Sequence, residues 1–342
     1  MTDRDRIDEA ADLDPVTAAE MWIDDEIVRW SSATERDYRK NMRRFLRWCE
    51  AEGVETVGEL DGLDIRLFKN ARSEDLNRDG EEIAPSTLRS SIMTLKQYID
   101  WLASIDAVEK RLTEQVAAAV PQLSDEDKTD DTMWPLETAK QAIAFYRDSV
   151  AHRATPNHAF IELFFHTGCR RGGLRALDLR DYDPATRTIR FVNRPDSGTR
   201  LKRGGDGERA VAISEEVAAV LNEYIARERF EKTDEYGRKP LFSLRQARPS
   251  VSTIQARTYL GTQPCVYSTC PHGKHPDECA YRARNSASKC PSSFSPHPLR
   301  TTSITWHRDR RVDMKETAER VNATVDTIET YYDKADTFDR VD

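Results

Sequence analysis

No stretch of this chain approaches the roughly 20 consecutive apolar residues that a membrane-crossing helix needs. The beginning, Met1-Thr2-Asp3-Arg4-Asp5, is charged and has no apolar segment behind it, so the sequence reads as cytoplasmic, with no membrane partner. An excess of positive charge is also missing: 52 Lys and Arg stand against 60 Asp and Glu, for a net charge of −8. Taken as a sum, that balance argues against a duplex-binding protein. Lysine itself is scarce, 13 residues against 39 arginines. An acidic, arginine-rich, lysine-poor chain fits a cytoplasm full of salt, where excess acid keeps proteins soluble and counterion release contributes less to DNA binding. A GC-rich genome, which favours arginine codons, would leave the same bias. Internal repeats are absent. So is a carboxylate cluster suited to Mg²⁺, and this counts against a metal-dependent nuclease.

At 342 residues the chain exceeds one compact core, and its patterning divides it in two. After an acidic N-terminus over 1–15, the segment 16–120 has helical periodicity. From Thr34 to Glu50 the apolar residues Tyr38, Met42, Phe45, Leu46 and Cys49 recur every three or four positions. The other faces of that helix carry Arg36, Arg39, Lys40, Arg43, Arg44 and Arg47, a concentration of one sign that suits a DNA backbone. A second helix follows Pro85, with Ser86 as the expected N-cap and Leu88, Ile92, Leu95, Ile99 and Leu102 as its buried stripe; Arg89 and Lys96 lie off the stripe. The acidic, nearly apolar-free run 121–132 reads as a linker. Beyond it, over 133–342, the pattern gives helices at Leu136 to Asp148 and Glu215 to Phe230. Short strands are expected at Thr188 to Val192 and Arg209 to Ile213, around a Gly-rich turn. The expected fold is mainly α with a small antiparallel sheet, in two domains.

Scattered through the second part is a set of basic residues that ends at a tyrosine. Arg170 follows Thr167-Gly168-Cys169 after an apolar segment, and Lys202 lies between the two strands. His297 and Arg300 are three apart, hence on one face of a helix that Pro296 and Pro298 would start. Tyr331 and Tyr332 come 31 and 32 residues after Arg300. Planar guanidinium groups grip phosphate oxygens in bidentate fashion, a lysine can protonate a leaving oxygen, and a tyrosine can attack phosphorus.

The order and surroundings of these residues resemble the tyrosine recombinases, the phage-integrase family, and in particular the branch found in halophilic archaea. The resemblance extends from about residue 20 to the end. It implies a helical core-binding domain at 16–120 that clamps DNA through Arg39, Lys40, Arg43, Arg44, Arg47, Arg89 and Lys96, followed by a catalytic integrase domain. It further implies Tyr332 as nucleophile, Arg170 and Arg300 with His297 on the scissile phosphate, Lys202 as the acid, and a homotetramer on double-stranded DNA that is a monomer or dimer when free. No catalytic cofactor is implied, and the expected activity is DNA integration or recombination of the kind that mobile elements use. One position departs from the family: about two and a half helical turns before the tyrosine, where a histidine or tryptophan donor is usual, this chain has Ala323. A catalytically impaired, DNA-binding regulatory relative is therefore the alternative, and a type IB topoisomerase shares the same chemistry.

Four of the six cysteines crowd one segment, 262–292: Cys265, Cys270, Cys279 and Cys290, spaced C-x4-C-x8-C-x10-C, with His272 and His275 among them. In a cytosolic chain such clustering suggests metal rather than disulfides, here a structural Zn²⁺ held by four thiolates. Cys49 and Cys169 read as core residues.

Overall fold

The computed structural model describes residues 9–77, 80–124 and 132–331. Most of the acidic run 121–132 and the first eight residues lie outside them, as does Tyr332. The chain divides into two compact units, Met1–Asp130 and Asp131–Asp342.

The first unit is helical: α1 Pro15–Glu26, α2 Ser32–Glu52, α3 Gly62–Ser73, α4 Pro85–Ser104 and α5 Arg111–Ala119. Helix α2 starts where the Ser31 hydroxyl accepts from the Thr34 amide at 3.1 Å, and it stops at Gly53, whose φ of 76° continues no helix. Its apolar face buries Met42, Phe45, Trp48 and Cys49 against α4, whose Ile92, Leu95, Ile99 and Leu102 are each at most 1% exposed. Side chains of this size bury for about 1.5–3 kcal/mol each, so the predicted stripes organise this core. Trp22 of α1 closes it, stacked on Tyr38 with ring centroids 5.7 Å apart. One expectation is corrected. The N-cap of α4 is Ala84 rather than Ser86, because Pro85 takes the first helical position, where its missing N–H costs nothing.

The second unit runs α6 Leu136–Asp148, α7 Pro156–Thr167, α8 Arg171–Ala176, strands β1 Tyr182–Asp183, β2 Thr188–Phe191 and β3 Arg209–Ala212, then α9 Glu215–Arg227 and α10 Val251–Thr262. It continues through α11 Pro296–Asp309, α12 Met314–Val321 and α13 Val325–Tyr331. The strands form one antiparallel sheet in the order β1-β2-β3, with Ile189 opposite Val211. Helix α9 stops at Arg227, three residues short of the expected Phe230. Helix α7 is the axis of the unit. Its residues from His158 to Phe165 are all buried, and α6, α9, α10 and α11 pack around it. A helix buried on every side belongs in the middle of a domain, and its two buried polar residues, His158 and Glu162, are paired 3.1 Å apart.

Candidate active site

Three chain segments meet at the C-terminal end of α7. Gly168 caps that helix at φ 57°. A Cβ there would lie 2.6 Å from Val321 Cγ1, so glycine is required both for the backbone angle and for the close approach of α12. Arg170 follows in extended conformation as the residue before α8, which swings its side chain back toward the end of α12. Arg300 comes from the second turn of α11 and is 1% exposed. Its Nη1 donates to Gly168 O at 2.6 Å and to Val321 O at 2.5 Å. Arg170 Nη1 donates to the next carbonyl, Asn322 O, at 2.5 Å. Two guanidinium groups 130 residues apart in sequence are thus oriented by adjacent carbonyls of one helix end.

Asn322 is the hinge of this arrangement. It caps α12 in the left-handed region at φ 56°, a conformation asparagine tolerates better than most residues. Its Nδ2 donates to Lys202 O at 3.1 Å, tying the segment between β2 and β3 to the arginine pair. Gly207 makes this possible, since a Cβ there would meet both Lys202 O and Asn322 Nδ2 within 2.9 Å. The Lys202 side chain is exposed, and so is His297, on the solvent side of the first turn of α11. The structure therefore gathers Arg170, Lys202 and Arg300 around residues 321–322 and places His297 one helical turn from Arg300. Helix α13 ends at Tyr331, and the proposed nucleophile Tyr332 lies outside the described residues.

Three residues that sequence reasoning left out belong to this cluster: Arg209, Arg320 and Asn322. Arg209 begins β3, lies 4.0 Å over the Phe191 ring and donates from Nε to Arg320 O at 2.7 Å. Burial, with the charges of Arg300, Arg170 and Arg320 acting in the same direction, lowers its pKa to about 10. Arg320 holds His166 O from Nε and Nη2 at 3.2 and 3.0 Å. Arg209 and Arg320 thus add two guanidinium groups to the Arg170–Arg300 pair, with Glu316 the acidic group acting on Arg320. A cavity of about 510 Å³ opens beside them, its wall mixed in charge: Arg203, Arg209 and Lys315 face it together with Asp206, Glu208 and Glu319, and Ala323 completes it. Ala323, at the position where the resemblance implies a donor, contributes only a methyl group to its wall. No local pattern marked Arg209 or Arg320, because an arginine at a strand start or a helix end is ordinary until the fold supplies its neighbours.

A buried ion network holds the strand-connecting segment from behind. Asp178 accepts from Arg238 Nη2 at 2.8 Å and Arg248 Nη2 at 2.5 Å. Arg238 Nη1 reaches on to Ser197 Oγ at 2.7 Å and Thr199 Oγ1 at 2.8 Å. Burial alone would raise the Asp178 carboxyl, but the hydrogen bonds and charges of Arg238 and Arg248 outweigh it and hold the group below the usual range.

In the first unit, Arg39, Lys40, Arg43, Arg44 and Arg47 lie along α2, and Arg89 and Lys96 along α4. These helices are joined by Asn41 Nδ2 donating to Thr94 Oγ1 at 2.9 Å. Lys40, Arg43 and Arg47 are exposed, whereas Arg39 pairs with Glu35 at 2.8 Å, Lys96 with Asp100 at 2.5 Å, and Arg89 donates to Pro121 O at 2.6 Å. The described residues contain no helix long and apolar enough to cross a membrane.

Tyrosine recombinase XerC of Xanthomonas campestris pv. campestris (strain B100) is 28% identical over 208 residues, which is 57% of this chain and 54% of that protein. The XerC of Chromohalobacter salexigens is 25% identical over 186 residues, 53% of this chain and 56% of that protein. The chain is similar to tyrosine recombinases over somewhat more than half of its length. It spans about half the length of the curated relatives it matches. No family model matches it. Among solved structures, a lambda integrase dimer bound to a COC' core site shares the fold at TM-score 0.63, with 13% identity over 99% of this chain and 83% of that one. The Tn1549 transposon integrase in complex with a circular intermediate DNA gives 0.60, at 15% identity over 94% and 96%. The two-domain, mainly α architecture of tyrosine recombinases is therefore the architecture of this chain.

Proposed function

We propose that this chain is a site-specific DNA recombinase that breaks and rejoins strands through a 3′-phosphotyrosine. In this reading Tyr332 Oη attacks the scissile phosphorus. The P–O bond to the 5′ oxygen breaks, and Lys202 Nζ delivers a proton to that oxygen, leaving a 5′-hydroxyl. Arg170 and Arg300 bind the non-bridging oxygens, where negative charge develops, with His297 donating to the same phosphate or accepting the tyrosine proton. The ester conserves the energy of the broken bond, so attack by a 5′-hydroxyl reverses the step without ATP. Positive charge comes from the protein's own cations in this scheme, without a catalytic metal. Two DNA sites joined by four copies of the chain form the synaptic assembly.

The observation that carries the reading is the convergence of Arg170, Arg300 and the Lys202 segment on residues 321–322, ten residues before Tyr332. The test is incubation with suicide substrates built from DNA flanking the chain's own gene, at high salt. We expect a protein–DNA adduct that survives SDS in wild type and in Tyr331→Phe and is lost in Tyr332→Phe. An adduct that persists in Tyr332→Phe removes that residue from the role. Ala323 favours a second reading, a relative that binds DNA without cutting it; specific binding with no adduct from any variant would select it.

A further inference from the structure

We propose that Cys265, Cys270, Cys279 and Cys290 form a structural zinc site that fixes the start of α11, the helix carrying His297 and Arg300. The four thiols span 26 residues of sequence, yet all line one cavity of about 170 Å³. Its remaining walls include Pro264, Tyr281 and Pro291, with His272 and the cationic Lys274 also at the edge. Every cysteine there is a free thiol. The two histidines of the segment are otherwise engaged: His272 Nε2 is 2.9 Å from Ser292 Oγ, and His275 is exposed, 3.7 Å from Asp277. Four sulphurs suit the closed tetrahedral coordination of zinc.

The surrounding chain needs such a staple. Between Ser268 and Ser295 it forms only three-residue 3₁₀ turns, and its buried residues amount to Ala287 and Cys290. Too little apolar surface is covered to order that length of backbone. Among the described residues no group of three or more His, Cys, Asp or Glu already stands at ligating geometry. The thiols surround a cavity instead, and no long helix or strand in the loop resists their being drawn together. Below the cavity the loop is already clamped: Thr262 Oγ1 accepts from the Phe294 amide at 2.8 Å and donates to Phe294 O at 3.1 Å. A metal closing on Cys290 would therefore restrain the few residues that lead into Pro296 and the helix of Arg300. Net charge is compatible as well, because Lys274, 4.8 Å over the Tyr281 ring, and Arg282, bonded to Gln263, stand beside what would be a doubly negative centre.

The experiment is metal analysis of the full chain purified without chelator, coupled to thiol titration and to cobalt substitution. We expect one zinc per chain, four thiols shielded from an aromatic disulfide reagent until a mercurial releases the metal, and a thiolate-to-cobalt charge-transfer band. His272→Ala and His275→Ala should keep the full metal content, and Cys279→Ser and Cys290→Ser should lose it. In metal-stripped protein, amide exchange should accelerate over 264–300 and stay unchanged in the first unit. No stoichiometric zinc with all four thiols reactive overturns the proposal, as does metal lost from a histidine variant or recovery of the cysteines as disulfides. None of these readings involves DNA, so they stand or fall independently of the recombinase reading.

Discussion

Single residues at the meeting point of α7, α8 and α12 have separable effects. Gly168→Ala places a methyl group against Val321 at a positive φ; the strain and the overpacking together should cost about 2–4 kcal/mol, read as a lower urea midpoint. An unchanged midpoint would mean that α12 is not seated as described. Asn322→Gly keeps the left-handed cap but removes the bond to Lys202 O. Adduct formation should slow by about five- to tenfold, the worth of one hydrogen bond of about 1 kcal/mol, with DNA affinity unaltered. Two histidines near the site respond to acid. Burial, followed for His166 by the charge of Arg320, lowers the pKa values of His166 and His307 to about 4. The unfolded chain binds these protons first, so stability is full above the ordinary value of about 6.5 and declines as pH falls toward 4, by at most about 3 kcal/mol per group. His307→Gln should flatten that limb of a stability-versus-pH curve; an unflattened limb would assign it to other groups.

The decisive element is the segment between β2 and β3, which presents Lys202 and has no core of its own. It is held from two sides, by Asn322 in front and by the Asp178–Arg238 network behind. Removing one member of a buried ion pair leaves the other uncompensated, at a cost of about 3–5 kcal/mol. Arg238→Met should therefore lower the thermal midpoint, and it should slow adduct formation beyond the loss of folded protein, because Ser197 and Thr199 are released together with Asp178. If the surviving folded fraction keeps full activity, the network supports the fold alone. The lowered Asp178 carboxyl adds stability that is fully present above its ordinary pKa of about 3.9 and is lost as pH falls through the depressed folded value; Asp178→Asn should abolish that component. The strands around this segment were legible as alternating apolar residues, and α2 and α4 as stripes. The network was not, since its members at 178, 238 and 248 have no common spacing in the chain.

Across the whole molecule, charge is segregated rather than absent. A net charge of −8 coexists with exposed Lys40, Arg43 and Arg47 on one helix and with a guanidinium cluster in the second unit. If α2 follows a DNA backbone, Lys40→Ala, Arg43→Ala and Arg47→Ala should each weaken binding to every sequence alike and reduce the salt slope of log affinity by about 1. A slope unchanged in all three would remove this helix from the interface. The amino-acid sequence by itself determined what local physics controls: helix stripes from periodicity, a division into two parts from an acidic apolar-poor run, and a His-x-x-Arg pair on one helix from its spacing. The tertiary structure alone decided which of 39 arginines converge. It brought Arg209 and Arg320 beside Arg170 and Arg300, and made Asn322 the residue joining them to Lys202. Periodicity acts over a few residues, whereas that convergence depends on chain folding over 150 residues and on two glycines that let the backbones approach.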